Sequence, residues 1–139
     1  QIRKIFSSTN PVALIFYNDE AAHNKIEQIA NAVTRETLLK GEVGADPLLE
    51  TYIADTNTCA DAMKAFRLRP HEAPIAVIHY TQTDQKYVME PEDLPVTTKS
   101  FGRFVRQVLA GKREPTDVKA AAKARKEWRA AQKVKTGDL

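Results

Sequence analysis

The chain has 139 residues and a formal net charge of +3, with 42% apolar and 28% charged residues. This is the length of one domain with room for a tail, and no apolar run approaches the ~20 residues that span a bilayer. Since Cys59 is the only cysteine, an intrachain disulfide and a cysteine-rich metal site are both excluded.

Positive charge is concentrated near the C-terminus. Residues 1–111 hold 12 Lys/Arg and 14 Asp/Glu, whereas residues 112–139 hold 9 and 4. This asymmetry predicts a folded body followed by a basic segment that contacts something acidic.

The first half of the chain alternates strand and helix patterns. A short candidate strand at residues 2–6 precedes Val12–Tyr17, a run of apolar and aromatic residues typical of a strand buried on both faces. Asp19 and its neighbours can cap a helix over residues 21–40, where Ile26, Ile29 and Val33 recur near the helical period. We expect a second strand at residues 48–54 and a helix at residues 59–68.

The second half predicts a hairpin and two further helices. Residues 75–80 read as a strand, residues 81–85 as a polar turn and residues 86–89 as the antiparallel return. The apolar residues of 101–109 are spaced as on one helix face, and Gly111 follows them. Residues 117–135 should form a helix that is exposed or stabilised by a partner and is not part of the core, because large apolar residues are few there.

This order of elements predicts an α/β fold, a mixed sheet with helices on both faces. We assign residues 1–113 to the sheet domain and residues 114–139 to a basic helical C-terminal extension. Deletion of residues 116–139 is expected to leave the body folded.

The stretch from Phe16 to Lys25 resembles the active-site region of thioredoxin and protein disulfide isomerase, Phe-Tyr-Ala-x-Trp-Cys-Gly-His-Cys-Lys. Phe16, Tyr17, His23 and Lys25 keep their places. The degenerate loop, which would correspond to the active-site loop, consists of Ala21, Ala22, His23 and Asn24, with Ala21 and Asn24 at the cysteine positions.

Three further stretches extend this resemblance to the thioredoxin superfamily, in its disulfide isomerase branch, over residues 11–113. They are Tyr-Ile-Ala-Asp-Thr at 52–56 with the helix after it, Ala-Pro-Ile at 73–75, and the segment 101–115 with its Gly-Lys-x-x-Pro exit. The resemblance implies a thioredoxin-like fold in which Pro74 is a cis-proline facing residues 21–24. An ordinary trans proline opening a strand is the alternative.

The departures from the family pattern imply that this chain performs no dithiol chemistry. A redox site needs a thiolate at a helix N-terminus and a second sulfur within bonding distance. Ala21 and Asn24 provide neither, Ile15 replaces the family's buried acid, and Glu20 replaces its tryptophan. We therefore expect neither an enzyme of this kind nor any cofactor.

Other candidate chemistry is weakly supported by the sequence. His23 could act as an acid or base or be a surface remnant of a dead site, while His71 and His79 lack metal-ligand spacing, so no metal site is expected. Cys59 is read as a small buried apolar residue, with a lone reactive thiol as the alternative.

The basic segment is the positive functional feature of the sequence. Its candidate partner-binding residues are Lys119, Lys123, Arg125, Lys126, Trp128, Arg129, Lys133 and Lys135. They could dock on an acidic protein surface, remain solvated, or neutralise the phosphates of RNA or an anionic membrane face. Aromatic residues are too few for a base-stacking platform.

These features leave three hypotheses. The favoured one is a non-catalytic interaction module, a structural or accessory subunit of a larger assembly docked through its basic helix, for which a mitochondrial location would suit the charge. The second is a redox-inactive, client-binding chaperone domain of the endoplasmic reticulum lumen, disfavoured by the basic tail and by an ending unlike Lys-Asp-Glu-Leu. The third is a glutathione-using enzyme that relies on Ser7, Ser8 or Tyr17; otherwise no small-molecule substrate is expected.

Overall fold

A computed structural model describes residues 11–40 and 49–135 of the chain. Its strands are β1 (Val12–Tyr17), β2 (Glu50–Asp55), β3 (Ile75–Tyr80) and β4 (Gln85–Val88). Its helices are α1 (Glu20–Lys40), α2 (Ala60–Ala65), α3 (Thr98–Leu109) and α4 (Val118–Lys135), with 3-10 turns at Pro70–Glu72 and Pro91–Asp93. The candidate strand at residues 2–6 and the serines at 7 and 8 lie outside the described residues.

The four strands form one mixed sheet in the order β2-β1-β3-β4. β1 pairs in parallel with β2 and antiparallel with β3, and β4 returns antiparallel to β3. Because β1 is central, its residues from Val12 to Phe16 are at most 6% exposed. The prediction of a mixed α/β sheet with flanking helices is confirmed, and the arrangement is compatible with a thioredoxin-like fold.

The core lies between this sheet and the helices. α1 buries Ile26, Ile29 and Val33, the stripe that the helical period predicts. α3 contributes Phe101 and Phe104, both completely buried. Helix α1 packs on β1 and β2 and also against α3. No helix within residues 11–40 and 49–135 has the length and apolarity needed to cross a bilayer.

Local hydrogen bonds determine where α3 begins and ends. Its N-cap is Thr97, whose hydroxyl accepts from the Ser100 N–H, while the Ser100 hydroxyl accepts from the Thr97 N–H. At its end Gly111 adopts φ +70°, and the Lys112 N–H donates to the Gln107 carbonyl. This is a Schellman motif with glycine at the left-handed position, where the missing Cβ removes the steric penalty.

Helix α2 ends in the same motif but with arginine at the left-handed position. Arg67 has φ +57°, its N–H donates to the Lys64 carbonyl, and the Leu68 N–H donates to the Met63 carbonyl. The helix therefore stops at Ala65 and not at the predicted residue 68. A non-glycine residue in this conformation is strained by about 1–2 kcal/mol.

Most described side chains of helix α4 are exposed or partly exposed, as its composition predicts, but two are buried against the body. Ala121 and Arg125 are 6% and 0% exposed, and Val118 packs against the core. Before the helix, the Thr116 N–H donates to the Lys86 carbonyl, and the Thr116 hydroxyl accepts from the Val88 N–H. The expected exposure fails at Ala121, whose small side chain permits close approach, and at Arg125, which pairs with the buried Glu72. These contacts cross the predicted domain boundary at residue 113.

Candidate functional site

The residues of the degenerate loop lie in the first turns of α1. Asp19 caps this helix, because its carboxylate accepts the Ala21 N–H at 2.9 Å and its carbonyl accepts the Ala22 N–H at 2.8 Å. Ala21 and Asn24 are exposed, and Ala22 and His23 are partly buried. At the N-terminus of α1, the two positions that would correspond to the thioredoxin cysteines carry the methyl group of Ala21 and the amide of Asn24.

Tyr17 lies next to this loop, and the pKa of its phenol is raised. Its ring makes an edge contact with His23 at 5.2 Å between centroids. Burial raises the pKa of the Tyr17 phenol, and the nearby Asp55, Glu20 and Cys59 raise it further. The phenol therefore stays protonated near neutral pH, and its acidic surroundings disfavour a thiolate brought beside it.

Cys59 is partly buried and packs against the core. Its sulfur lies 3.7 Å from the Thr58 hydroxyl. It immediately precedes α2 and does not belong to α1, so it does not occupy either cysteine position of the family pattern. As the only cysteine of the chain it has no second sulfur with which to form an internal disulfide.

The Ala73–Pro74 peptide bond is cis, the isomer that the resemblance implies, and Pro74 is exposed. The pairing of Phe16 with Ile75 places Pro74 beside the end of β1, where the chain turns toward α1. A second cis bond, Leu94–Pro95, was not predicted.

The three histidines do not converge. His23 lies 3.6 Å from Glu27 on α1, His79 is held by Asp84 at 2.8 Å on the β3–β4 hairpin, and His71 is exposed. Within residues 11–40 and 49–135, no three His, Cys, Asp or Glu side chains are grouped so that they could hold a metal ion.

The structure separates the basic residues proposed to bind a partner. Lys119, Lys123 and Lys126 are exposed on α4, whereas Trp128 and Arg129 are partly buried. Arg125 is completely buried and is not accessible to a partner. The predictions for Lys133 and Lys135 concern side chains outside the described part.

Glu72 anchors α4 to the body. Its carboxylate accepts from Arg125 Nε at 2.8 Å, from Arg129 Nη1 at 2.7 Å and from the Arg69 N–H at 2.9 Å. Arg125 Nη2 also donates to the Arg67 carbonyl at 3.3 Å. The Glu72 side chain is 4% exposed, so this is a buried, charge-assisted network.

The network determines the charge state of Glu72. Burial acts to raise the pKa of this carboxyl, but hydrogen bonds from Arg125 and from the Arg69 backbone, the charge of Arg125 and a hydrogen bond from Arg129 outweigh it. The pKa of Glu72 is therefore below its ordinary value, and the carboxylate is ionised at neutral pH. Sequence reasoning missed Glu72, because nothing local links it to residues more than fifty positions away.

Two adjoining cavities open between α4 and the segment 60–72. They measure about 700 and 640 Å³ and share Arg67, Arg69 and Ala122 in their linings, so we treat them as one feature, the basic groove. Seven of its lining residues are cationic: Lys64, Arg67, Arg69, Lys119, Lys123, Lys126 and Arg129. Among the described residues of the two linings Glu72 is the only acid, and it is already paired with two arginines.

Comparison of the chain with known protein families and with curated proteins found no match. The described part of the chain forms a four-stranded mixed sheet with flanking helices. This structure has two candidate sites. One is the N-terminus of α1, where the positions compared with the thioredoxin cysteines carry no thiol, and the other is the basic groove beside α4.

Proposed function

We propose that this chain is a non-catalytic, thioredoxin-like interaction module. It serves as a structural or accessory subunit of a larger protein assembly and docks through α4. The observation that carries the proposal is the way α4 is held: Arg125 and Arg129 fasten one side of the helix to Glu72, while Lys119, Lys123 and Lys126 project from it exposed. A helix held in place before binding loses less freedom on docking than a free arm would.

The residues at the α1 N-terminus support a role without dithiol chemistry. Ala21 and Asn24 can neither form a thiolate nor a mixed disulfide. We expect insulin reduction by the purified chain to stay at background. The double variant Ala21→Cys with Asn24→Cys should oxidise to a disulfide if these positions correspond to the family's cysteines, and a well-folded double variant that stays reduced would refute that correspondence.

The docking proposal is tested by cross-linking mass spectrometry in native extract. We expect stoichiometric links from Lys119, Lys123 and Lys126 to a few fixed neighbours that co-fractionate with the chain. Lys99, which is exposed on α3, serves as the matched lysine elsewhere on the surface. Equal linking of Lys99 and the α4 lysines to many unrelated proteins would contradict docking through α4.

One observation favours a second candidate function, client binding of the disulfide-isomerase type. Pro74 is exposed beside the end of β1, and the partly buried His23 and Tyr17 lie at the same end of that strand. This surface could hold an extended, unfolded segment. Substoichiometric links from this end of the sheet to many unfolded chains would favour the chaperone role over the assembly subunit.

The glutathione-using alternative gains no support. An activating tyrosine would need to stabilise a thiolate. Burial raises the pKa of Tyr17, and Asp55 and Glu20, which raise it further, would repel the negative charge of a thiolate beside the phenol. We expect no retention of the chain on immobilised glutathione.

A further inference from the structure

We propose that the basic groove binds an acidic peptide segment of the partner protein, one that also carries apolar side chains. This inference rests on the proposed function, since it specifies what kind of partner surface α4 would contact.

The charge of the groove requires an anionic occupant. Lys119, Lys123 and Lys126 follow one another at helical spacing, so they project from one face of α4. Across the groove stand the exposed Lys64, Arg67 and Arg69. Glu72 is already paired with Arg125 and Arg129, and no other Asp or Glu is among the described residues that line the two cavities. An incoming carboxylate would therefore relieve the mutual repulsion of these cations.

The floor of the groove is apolar. Met63 and Leu68, the two residues joined by the hydrogen bond that ends α2, form its base and are only 1% and 4% exposed, whereas Pro70 in the same lining is exposed. On the opposite wall Ala122 lies between Lys119 and Lys123, and Ala130 follows Arg129; their small side chains leave room for an inserted group. The apolar lining residues that solvent reaches are the exposed Pro70, Ala60 and Ala130 and the partly buried Ala122. A partner segment that is only acidic would leave these side chains uncovered, which is why we specify apolar side chains as well.

The backbone of Arg67 gives independent support. The chain places glycine at the left-handed position that ends α3 but arginine at the equivalent position of α2, at φ +70° and +57° respectively. Asp84, another non-glycine residue with positive φ, lies in a hairpin turn, where aspartate is tolerated. Arginine has no such tolerance, and its side chain lines both cavities, so the strain is consistent with a functional role for this guanidinium.

The lining of the groove favours peptide over nucleic acid. Single-stranded nucleic acid is held by aromatic platforms on which bases stack, together with basic residues. Among the described residues that line the two cavities, none is Phe, Tyr or Trp. Apolar aliphatic side chains between cations are better suited to a peptide that combines Glu or Asp with Leu or Ile.

The test is fluorescence anisotropy with the purified full chain and a labelled synthetic peptide that alternates Glu and Leu. We expect saturable binding that weakens with salt. Replacing Glu by Gln in the peptide should abolish binding, and replacing Leu by Ser should weaken it about tenfold. If the loss of leucine leaves binding unchanged, the groove does not recognise apolar side chains. If a labelled oligouridine or phosphatidylserine vesicles bind more tightly than the peptide, the occupant is not an acidic peptide.

Variants locate the binding surface. Lys123→Glu with Lys126→Glu should weaken peptide binding at least about tenfold, whereas the matched reversal Lys99→Glu on α3 should change it less than about twofold. Arg67→Gly separates folding from binding: it relieves the strained backbone, so the melting temperature should not fall, yet peptide affinity should. Equal effects of the Lys123/Lys126 and Lys99 reversals, or undiminished affinity in Arg67→Gly, would overturn the groove as the site.

Failure of this inference can be told apart from failure of the proposed function. Stoichiometric cross-links to fixed neighbours made outside the groove, together with no binding of the Glu/Leu peptide, would overturn the groove and leave the subunit role standing. Peptide binding by the purified chain, without any stable assembly in extract, would support the groove and count against the subunit role.

Discussion

The Glu72→Gln variant tests whether α4 is part of the folded body. In the native chain the Glu72 carboxylate accepts hydrogen bonds from Arg125 Nε, Arg129 Nη1 and the Arg69 N–H. The substitution keeps the size and one acceptor oxygen but removes the negative charge. Arg125, which is 0% exposed, would then be a buried cation with only neutral acceptors.

The magnitude follows from the asymmetry of a buried ion pair. Removing one partner of such a pair destabilises a protein by about 3–5 kcal/mol, because the other charge is left uncompensated. Arg125→Met removes the fully buried charge instead. It leaves Glu72 with Arg129, which is 28% exposed and can share its charge with water. Since Arg125 Nη1 has no hydrogen-bond partner among the described residues, we expect a smaller loss for Arg125→Met than for Glu72→Gln.

The measurement is urea unfolding at pH 7 followed by circular dichroism, with Trp128 fluorescence reporting on α4 itself. Glu127→Gln makes the same chemical change at an exposed position of α4 and should stay within about 0.5 kcal/mol of the native chain. The double variant Glu72→Gln with Arg125→Met should lose less than the sum of the single losses. If Glu72→Gln loses no more stability than Glu127→Gln, α4 is not fastened to the body through this network.

The loss of stability in Glu72→Gln should become smaller as pH falls. The pKa of Glu72 is lower in the folded chain than its ordinary value of 4.5, so the unfolded chain binds the proton more readily. Its stabilisation is therefore complete well above pH 4.5 and is lost as pH falls through the folded pKa. The stability curves of the native chain and Glu72→Gln should converge in acid, and a constant difference down to acid pH would contradict this assignment.

Two further changes probe the rest of the body by the same unfolding measurement. Thr97→Ala removes the hydroxyl that accepts from the Ser100 N–H and should lose about 1 kcal/mol, whereas Thr98→Ala, one residue inside α3, should not; equal losses would argue against the cap. Burial, and then Glu92, raise the pKa of Glu90 in the folded chain. The protonated Glu90 therefore stabilises the folded chain in acid, and this stabilisation is lost as pH rises through the folded pKa. Glu90→Gln, which cannot ionise, should accordingly raise the free energy of unfolding at pH 7. A stability gain that persists below pH ~4, where the Glu90 carboxyl is protonated in both states, would show that the change acts otherwise than through charge.

The anchored position of α4 also changes what truncation should do. The composition of residues 114–139 predicts an independent arm, but Thr116 bonds to β4, and Arg125 and Arg129 satisfy a buried carboxylate. We therefore expect deletion of residues 116–139 to lower the stability of the remaining body, since it removes both arginine partners of Glu72 and the packing of Val118 and Ala121 against the body. An unchanged unfolding midpoint for the truncated chain would show that residues 116–139 do not stabilise the body and form an independent arm.

Local pattern was sufficient for most of the sheet and for two of the helices. The six-residue apolar run and the spacing of residues 101–109 correspond closely to β1 and α3. Asp19 caps α1 as its position predicts. These elements follow from sequence because the burial of a face and the capping of a helix end depend on residues a few positions apart.

The basic groove and the position of α4 follow from contacts that no local pattern records. Alanine and arginine in a lysine-rich helix indicate solvent exposure, yet Ala121 and Arg125 are buried. Arg125 can be buried because the fold brings the Glu72 carboxylate to it. Likewise, nothing near Arg67 in sequence shows that it faces Lys123 and Lys126 across a cavity. The periodicity of a chain records which faces are apolar, whereas pairing between charges more than fifty residues apart depends on how the elements pack.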